Sequence, residues 1–266
     1  MWTDTHLHLD AIEYEPDRQA VVQRASALHV NRFVLPSVCA GNFLTVKALA
    51  HATPGAVYCL GIHPMYVDQA TPEDLNTLAE CIKQSLGDPK FAGVGEIGLD
   101  GFVPGLDWNK QVLFFNAQLK LARDHDLPVV MHVRKAQDAV LKGLRVYQPR
   151  SGIAHAFNGS FQQAEQFLNL GMKLGFGGAC TYTRALQLRR LASQLPMEAL
   201  VLETDGPDIA PEWIAKSRNA PEHLPRIAEV IANLRGVDPN MLSHHTEDNA
   251  QTALPALAAQ GVTRAS

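Results

Sequence analysis

The sequence contains few cysteines, and these lie far apart. There are four, Cys39, Cys59, Cys81 and Cys180, and no two of them form a Cys-x-x-Cys pair. Structural zinc ribbons and dithiol redox sites need closely spaced thiols, so the spacing argues against both kinds of site. Buried thiols in a reducing compartment are the simpler interpretation, and we expect the protein to be cytoplasmic.

Long apolar runs are also missing. No apolar segment approaches the roughly 18 residues that a membrane-spanning helix requires. The first residues enter a strand-like pattern at once, without a basic segment followed by an apolar one. We therefore expect neither a signal peptide nor contact with a membrane.

The chain has no excess of basic residues. It contains 23 Lys and Arg against 27 Asp and Glu, which gives a formal net charge of −4. A strongly cationic surface, which would indicate a nucleic-acid partner, is thus not expected. Any anionic substrate has to be held locally, by metal ions and a few basic groups. The hydrophobic content of 46% is ordinary for a globular enzyme with a sizeable core.

Short apolar segments alternate with amphipathic helical patterns along the whole chain. No linker rich in Pro or Ser divides residues 1–266. The alternation predicts one α/β domain, a (β/α)8 TIM barrel, rather than an open doubly wound sheet. The eight predicted strands lie within residues 2–8, 32–36, 55–62, 91–97, 128–133, 152–156, 173–177 and 199–203.

The first of these segments carries metal-binding side chains. Asp4, His6 and His8 alternate with apolar or small residues, so in a strand they share one face. Two imidazoles on one face can converge on a divalent cation near the strand end, with Asp4 deeper and able to orient a ligand histidine. A half-exposed edge strand with incidental histidines is the alternative at this point.

Similar side chains end five of the other predicted strands. TIM-barrel enzymes place their chemistry at the C-terminal ends of strands. Charged groups there are costly unless they are paired or bind metal, and this number is enough for two cations that share a bridging carboxylate. The residues at these ends are His6, His8, His63, Glu96, His132, His155, Glu203 and Asp205.

Residues 93–98 also match the Gly-x-Gly-x-x-Gly pattern of dinucleotide-binding proteins. That pattern requires a helix directly after it, and the segment 99–105, with Gly101, Pro104 and Gly105, cannot begin one. We therefore interpret the glycines as positions where the backbone passes closely, with Glu96 pointing into the barrel mouth.

Several polar residues near these strand ends are candidates for substrate contacts. Asn158 and Ser160 lie at a predicted helix N-terminus, which is a natural phosphate site. Capping that helix is an equally good role for Ser160, and surface or capping roles are open for the others. The candidates are His63, Arg134, Asn158, Ser160 and Arg218.

Seven segments, in order along almost the whole chain, resemble the successive motifs of the TatD family of metal-dependent deoxyribonucleases, within the amidohydrolase superfamily. Small departures, such as Met65 where the family often has a second histidine, concern substrate preference rather than metal binding. The segments are DTHLHL at 4–9, GIHP at 61–64, GEIGLD at 95–100, HVR at 132–134, HAFNGS at 155–160, LETDGP at 202–207 and RNAP at 218–221.

The resemblance implies a dinuclear site with two divalent ions, Mg, Mn or Zn. Glu96 would bridge the ions, and Asp205 would also orient the attacking water or accept its proton. Asp4 would support the ligands from behind, and Glu203 would either do the same or bind an extra ion. The implied ligands are His6, His8 and Asp205 on one ion and His132 and His155 on the other, with Glu96 on both.

The implied activity is trimming of single-stranded DNA, or RNA, from the 3′ end by a monomeric enzyme. Two alternatives use the same ions: a small-molecule amidohydrolase or phosphoesterase, and an aminoacyl-tRNA deacylase. A binding protein without catalysis is disfavoured, because an unused cluster of buried charge would be costly to stability.

Overall fold

The structure is a computed structural model that describes residues 1–261. Eight parallel strands form one sheet in which each strand pairs with the next along the chain. The sheet curls into a nearly closed barrel, because Thr5 N donates to Leu202 O (3.0 Å) and Asp205 N to His6 O (2.9 Å). The predicted TIM barrel is therefore confirmed.

The strands are short except for the fourth, which spans ten residues and is buried throughout. Their bounds are β1 (Trp2–Asp4), β2 (Val30–Pro36), β3 (Ala56–Leu60), β4 (Phe91–Asp100), β5 (Val129–Arg134), β6 (Gly152–His155), β7 (Met172–Phe176) and β8 (Leu200–Leu202).

Helices separate the strands and surround the barrel. Their bounds are α1 (Arg18–Ala27), α2 (Phe43–Ala52), α3 (Pro72–Ser85), α4 (Trp108–Asp124), α5 (Gln137–Tyr147), α6 (Phe161–Asn169), α7 (Leu186–Gln194), α8 (Leu224–Arg235) and α9 (Pro239–Ala253), with short 3-10 turns between several elements. Within residues 1–261, no helix is long and apolar enough to cross a membrane.

The barrel interior is apolar, and α9 closes its N-terminal end. Buried side chains from six strands pack against the end of α9 and the turn that follows it. At the same end, Glu247 of α9 forms a buried ion pair with Arg32 of β2 and accepts a hydrogen bond from Thr3 Oγ1 (2.5 Å). The interior cluster contains Val34, Val57, Cys59, Ala92, Val130, Ile153, Val201, Ala250, Ala253, Leu254 and Leu257.

The interior face of the strands leads directly to the histidines at the other end. Val130 lies inside the barrel on β5, and His132 follows two residues later; Ile153 and His155 have the same spacing on β6. Side chains alternate between the faces of a strand, so these imidazoles continue the inward face. The C-terminal mouth of the barrel thus receives the polar residues.

Two glycines of β4 permit close contact with β5. Gly93 and Gly98 have φ angles of 151° and 148°. A Cβ atom would lie 2.3 Å from Pro128 O at Gly93 and 2.0 Å from His132 O at Gly98. Only glycine fits such an approach, which agrees with the interpretation that the glycines of residues 93–98 serve the backbone rather than a nucleotide.

Candidate metal centre

Glu96 lies at the centre of a cavity of about 990 Å³ in the barrel mouth. Its Oε1 is 2.8 Å from His155 Nε2, 3.2 Å from His63 Nε2 and 3.3 Å from His132 Nδ1. Its Oε2 is 3.0 Å from His6 Nε2. The two oxygens of one buried carboxylate therefore face different imidazole groups.

The Oε2 side of this centre also contains His8 and Asp205. His8 Nε2 lies 3.4 Å from Glu96 Oε2 and 3.3 Å from His6 Nε2. Asp205 Oδ1 is 3.6 Å from His6 Nε2 and 3.7 Å from His8 Nε2. Two imidazoles and two carboxylates thus point toward one small volume.

This donor set fits divalent cations. Glu96 Oε1 is buried and, despite its near neighbours, accepts no hydrogen bond with acceptable geometry. A buried carboxylate oxygen that lies among three imidazole nitrogens and has no hydrogen-bond partner is suited to bind a metal ion. Three triads offer ligand atoms within 4.8 Å of one another: His6, His8 and Glu96; His6, His155 and Asp205; and His63, Glu96 and His132.

The triads place His63 among the candidate ligands. The sequence analysis counts His63 among the strand-end histidines but assigns it to substrate contacts, since the ligand set that the resemblance implies does not include it. Its Nε2 is nevertheless as close to Glu96 Oε1 as His132 Nδ1 is. His63 can therefore reach an ion on the Oε1 side or a substrate group beside that ion.

The charges of the centre are strongly coupled. Burial raises the pKa of Glu96, but His63 and His6 outweigh it and hold the pKa well below its usual range. Burial and His155 lower the pKa of His6 well below its usual value, which keeps its imidazole neutral. Burial lowers the pKa of His8 and His155, but Glu96 outweighs it and raises them to about 9 and 10. Because metal ligands must be deprotonated, ion binding would release these protons.

Comparison with known proteins identifies the family. A sequence model described as "TatD related DNase" matches residues 3–255. The chain belongs to this family. An "Uncharacterized metal-dependent hydrolase YjjV" of Escherichia coli (strain K12) is 37% identical over 233 residues, which cover 87% of this chain and 89% of the relative.

Two further matches extend over nearly the whole TatD-family chain. A "3'-5' ssDNA/RNA exonuclease TatD" of Erwinia billingiae (strain Eb661) is 32% identical over 258 residues, 93% of this chain and 97% of the relative. The crystal structure of the Escherichia coli k12 TatD homologue YjjV superposes with a TM-score of 0.91 and 35% identity, and covers 96% of this chain and 98% of that one. The protein is therefore a TatD-family, metal-dependent hydrolase.

Asp100 supports His132 in this TatD-family site, a role that the sequence did not indicate. Asp100 Oδ2 lies 2.9 Å from His132 Nε2, and Asp100 Oδ1 accepts from Phe102 N (2.7 Å) and Val103 N (2.9 Å). Burial raises the pKa of Asp100, but the His132 hydrogen bond outweighs it and the pKa lies below its usual value. A charged Asp100 holds the proton on Nε2, so the lone pair of Nδ1 faces Glu96.

The spacing of Asp100 could have indicated this role. It lies four residues after Glu96 in β4, so both side chains occupy the same face. The predicted strand ends at residue 97, three residues before the end of β4, so the prediction leaves Asp100 outside the strand.

We expect Asp100→Asn to weaken metal binding or activity by about 10- to 100-fold, as for other carboxylates that support ligand histidines. The amide cannot hold the His132 proton on Nε2 as a charged carboxylate does. Metal titration of the apo-protein and kcat/KM measure the loss. Asp126→Asn, at a side chain that is 77% exposed, is the matched control. Equal metal affinity and kcat/KM in the two variants would contradict the role.

Asp4 and Glu203 lie behind the candidate ligands. Asp4 accepts from Thr204 N (2.9 Å), Thr204 Oγ1 (2.5 Å) and His6 N (3.3 Å), so it holds the main chain under His6. Asp4 thus supports His6 through the main chain, and His6 Nδ1 has no hydrogen-bond partner among the described residues. Glu203 Oε1 accepts from Ala156 N (2.5 Å) and lies 3.9 Å from His155 Nδ1. Burial raises the pKa of Asp4 to about 7 and that of Glu203 to about 8.

Three of the five predicted substrate residues, His63, Arg134 and Asn158, line the cavity at the metal centre. Arg134 stacks on Phe102, with Cζ 3.9 Å from the ring centroid, and Lys135 Nζ lies 4.8 Å from the same ring. Asn158 also lines the cavity, and its carbonyl oxygen accepts from Gln137 (2.5 Å). Arg134 and Phe102 form an aromatic and cationic edge on the β4 and β5 side of the mouth.

The other two predicted substrate residues have structural partners. Ser160 caps α6: its Oγ accepts from Gln163 N (3.1 Å), and Gln163 Oε1 accepts from Ser160 N (3.0 Å). Arg218 donates to both oxygens of Asp17 at 2.6 and 2.8 Å and stacks over Tyr14. The structure thus brings neither into the lining of the metal-centre cavity.

Proposed function

We propose that this metal-dependent hydrolase is a dinuclear phosphodiesterase that removes nucleotides from the 3′ end of single-stranded DNA or RNA. The observation that carries the proposal is the buried Glu96 carboxylate, whose two oxygens face separate ligand groups. Relatives named "3'-5' ssDNA/RNA exonuclease TatD", at 30 to 32% identity, support the substrate class.

The proposed ligand assignment follows the two sides of Glu96. The proposed ligands are His6, His8 and Asp205 for one ion and His132 and His155 for the other, with Glu96 shared and His63 beside the second ion. Such ions supply Lewis acidity to a phosphoryl oxygen and acidify a water molecule. We also propose that a monomer suffices, because all these side chains come from one chain.

Asp205 is suited to the proton transfer. Its side chain is 13% exposed at the cavity wall, and burial raises its pKa above the usual value. A raised pKa makes the carboxylate a stronger base toward an attacking water. We assign to Asp205 the acceptance of that proton, and to Glu96 the positioning of the reacting groups.

Arg134 and Phe102 would bind the substrate next to the ligands. The guanidinium offers planar donors for phosphate oxygens, and its stacking on Phe102 pre-orients it toward the cavity. Developing negative charge on the phosphoryl oxygens would be offset by this group. The aromatic ring beside it can stack on a base without regard to sequence.

Degradation of labelled oligonucleotides tests the proposal. We expect 5′-labelled single-stranded DNA and RNA 20-mers to shorten from the 3′ end in buffers with defined Mg, Mn or Zn. Chelation and dialysis should abolish the shortening, and returning the ion should restore it.

Two outcomes would refute the proposal. Shortening that survives chelation and dialysis would exclude the metal centre. Intact oligonucleotides, together with cleavage of small esters, amides or aminoacyl-tRNA by the same preparation, would favour the alternative hydrolase functions.

A further inference from the structure

A second cavity adjoins the metal-centre cavity and continues it along the surface. Its volume is about 770 Å³, within the range of about 300 to 1,000 Å³ that is typical of ligand sites. It is the shallower and more open of the two. The residues that line both cavities are Ala179, Leu188, Pro207, Asp208 and Ile209.

The second cavity contains an aromatic ring and two cations. Arg184 Cζ lies 5.4 Å from the ring centroid of Tyr182, and Tyr182 Oη donates to Ala210 O (3.1 Å), which holds the ring in place. Lys216, on the loop after β8, lines the same cavity and is exposed. Among the described residues that line it, Asp208 alone is acidic.

This chemistry matches single-stranded nucleic acid. Proteins that bind such strands without sequence preference combine cations that follow the phosphates with aromatic rings that stack on bases. Tyr182 with Arg184 repeats the combination of Phe102 with Arg134 on the other flank of the mouth. The first pair follows β7, whereas the second pair lies at the ends of β4 and β5, so the two pairs stand at different parts of the rim of the mouth.

Acidic residues on one side of the mouth affect the direction in which a nucleic-acid strand can leave the metal centre. Asp10 and Glu13, in the segment after β1, line the first cavity. Burial raises the pKa of Tyr66 in the same wall, and the negative charges of Asp10 and Glu13 add to that increase. Phosphates would be repelled there, because like charges at short distance are unfavourable. The side toward Arg184 and Lys216 also carries one acid, Asp208, but two cations outnumber it there, whereas the other side presents the two acids Asp10 and Glu13.

We propose that the second cavity binds the nucleotides next to the one being removed, with Tyr182, Arg184 and Lys216 as a stacking and phosphate-binding subsite. The proposal rests on the proposed nuclease function and adds the path of the strand. The terminal nucleotide occupies the deeper cavity beside Phe102, and the rest of the strand leaves over the shared wall at Pro207 and Ile209.

The double variant Arg184→Gln/Lys216→Gln tests the subsite. The ratio of kcat/KM for a single-stranded 20-mer to that for a dinucleotide should fall roughly tenfold, at about threefold for each exposed cation. The slope of log KM against log salt for the 20-mer should decrease by about 1.4, because each phosphate contact to a single strand contributes about 0.7. Lys83→Gln/Lys142→Gln removes the same charge from exposed positions on α3 and α5 and is the matched control.

The outcomes separate the subsite from the proposed function. A wild-type protein that degrades oligonucleotides with the same kcat/KM at both lengths would overturn the subsite alone. An unchanged ratio and salt slope in the double variant would also overturn the subsite alone. So would an equal change in the control variant. A wild-type protein that cleaves no oligonucleotide at all would overturn the nuclease function and the subsite together.

Discussion

Glu96→Gln should lower kcat/KM by at least about a thousandfold, which corresponds to about 4 kcal/mol of transition-state stabilisation. The substitution keeps the shape of the side chain but removes the carboxylate charge that lies 3.0 Å from His6 Nε2 and 2.8 Å from His155 Nε2. An amide oxygen is a weaker ligand for a divalent cation, and its NH2 group would face imidazole nitrogens. Both ions should therefore bind more weakly.

Two measurements made together test this expectation. Metal content after dialysis against defined ion concentrations reports binding, and kcat/KM at saturating ion reports catalysis. Glu165→Gln, at an exposed position on α6, is the matched control. Wild-type metal content and activity in Glu96→Gln would show that the carboxylate does not join two ions.

Asp205→Asn should reduce kcat by about 10²- to 10⁴-fold, the usual contribution of a positioned general base. Asp205 has a φ of 57°, a conformation that Asn adopts as readily as Asp, so the backbone should not change. The wild-type protein should lose activity as the pH falls, because a protonated Asp205 carboxyl can neither bind an ion nor accept a proton from water. That acidic limb of the kcat/KM profile should be absent in the variant.

Asp208→Asn is the informative comparison for Asp205→Asn. It removes the same charge three residues later on the same cavity wall, without changing the group that faces His6 and His8. The difference between the two variants in single-turnover rate isolates the role of the Asp205 carboxylate from the charge of the wall. Equal losses in both variants would contradict a proton-accepting role.

The end of the first strand differs from its predicted end, although the predicted alternation of side chains continues beyond it. The sequence predicted a first strand that includes His6 and His8, but β1 ends at Asp4. The segment beyond it stays extended, because Leu7 N donates to Val34 O (3.0 Å) and His8 N to Gly206 O (2.9 Å). The two-residue alternation of side chains thus continues past the regular strand pairing, which is why the predicted face still holds.

Two of the predicted substrate residues, Arg218 and Ser160, have structural roles instead, and their partners lie at very different distances along the sequence. Arg218 lies in the segment that follows β8, but it pairs with Asp17, which is 201 residues earlier. Ser160 shows the opposite case, since its cap to Gln163 is local and was one of its two predicted roles. A local pattern can indicate a cap, whereas an ion pair between distant segments depends on the folded chain.

The sequence by itself determined the barrel and the end of it that carries the chemistry. Apolar segments separated by helices require parallel strands, and the carboxyl ends of parallel strands meet at one edge, so the histidines and carboxylates that follow them must gather there. Only the tertiary structure decided which atoms face one another. The central place of Glu96, the approach of His63, the support of His132 by Asp100 and the second cavity at Tyr182 depend on distances between side chains of different strands and loops. Barrel closure and rotamers set those distances, and no local pattern encodes them.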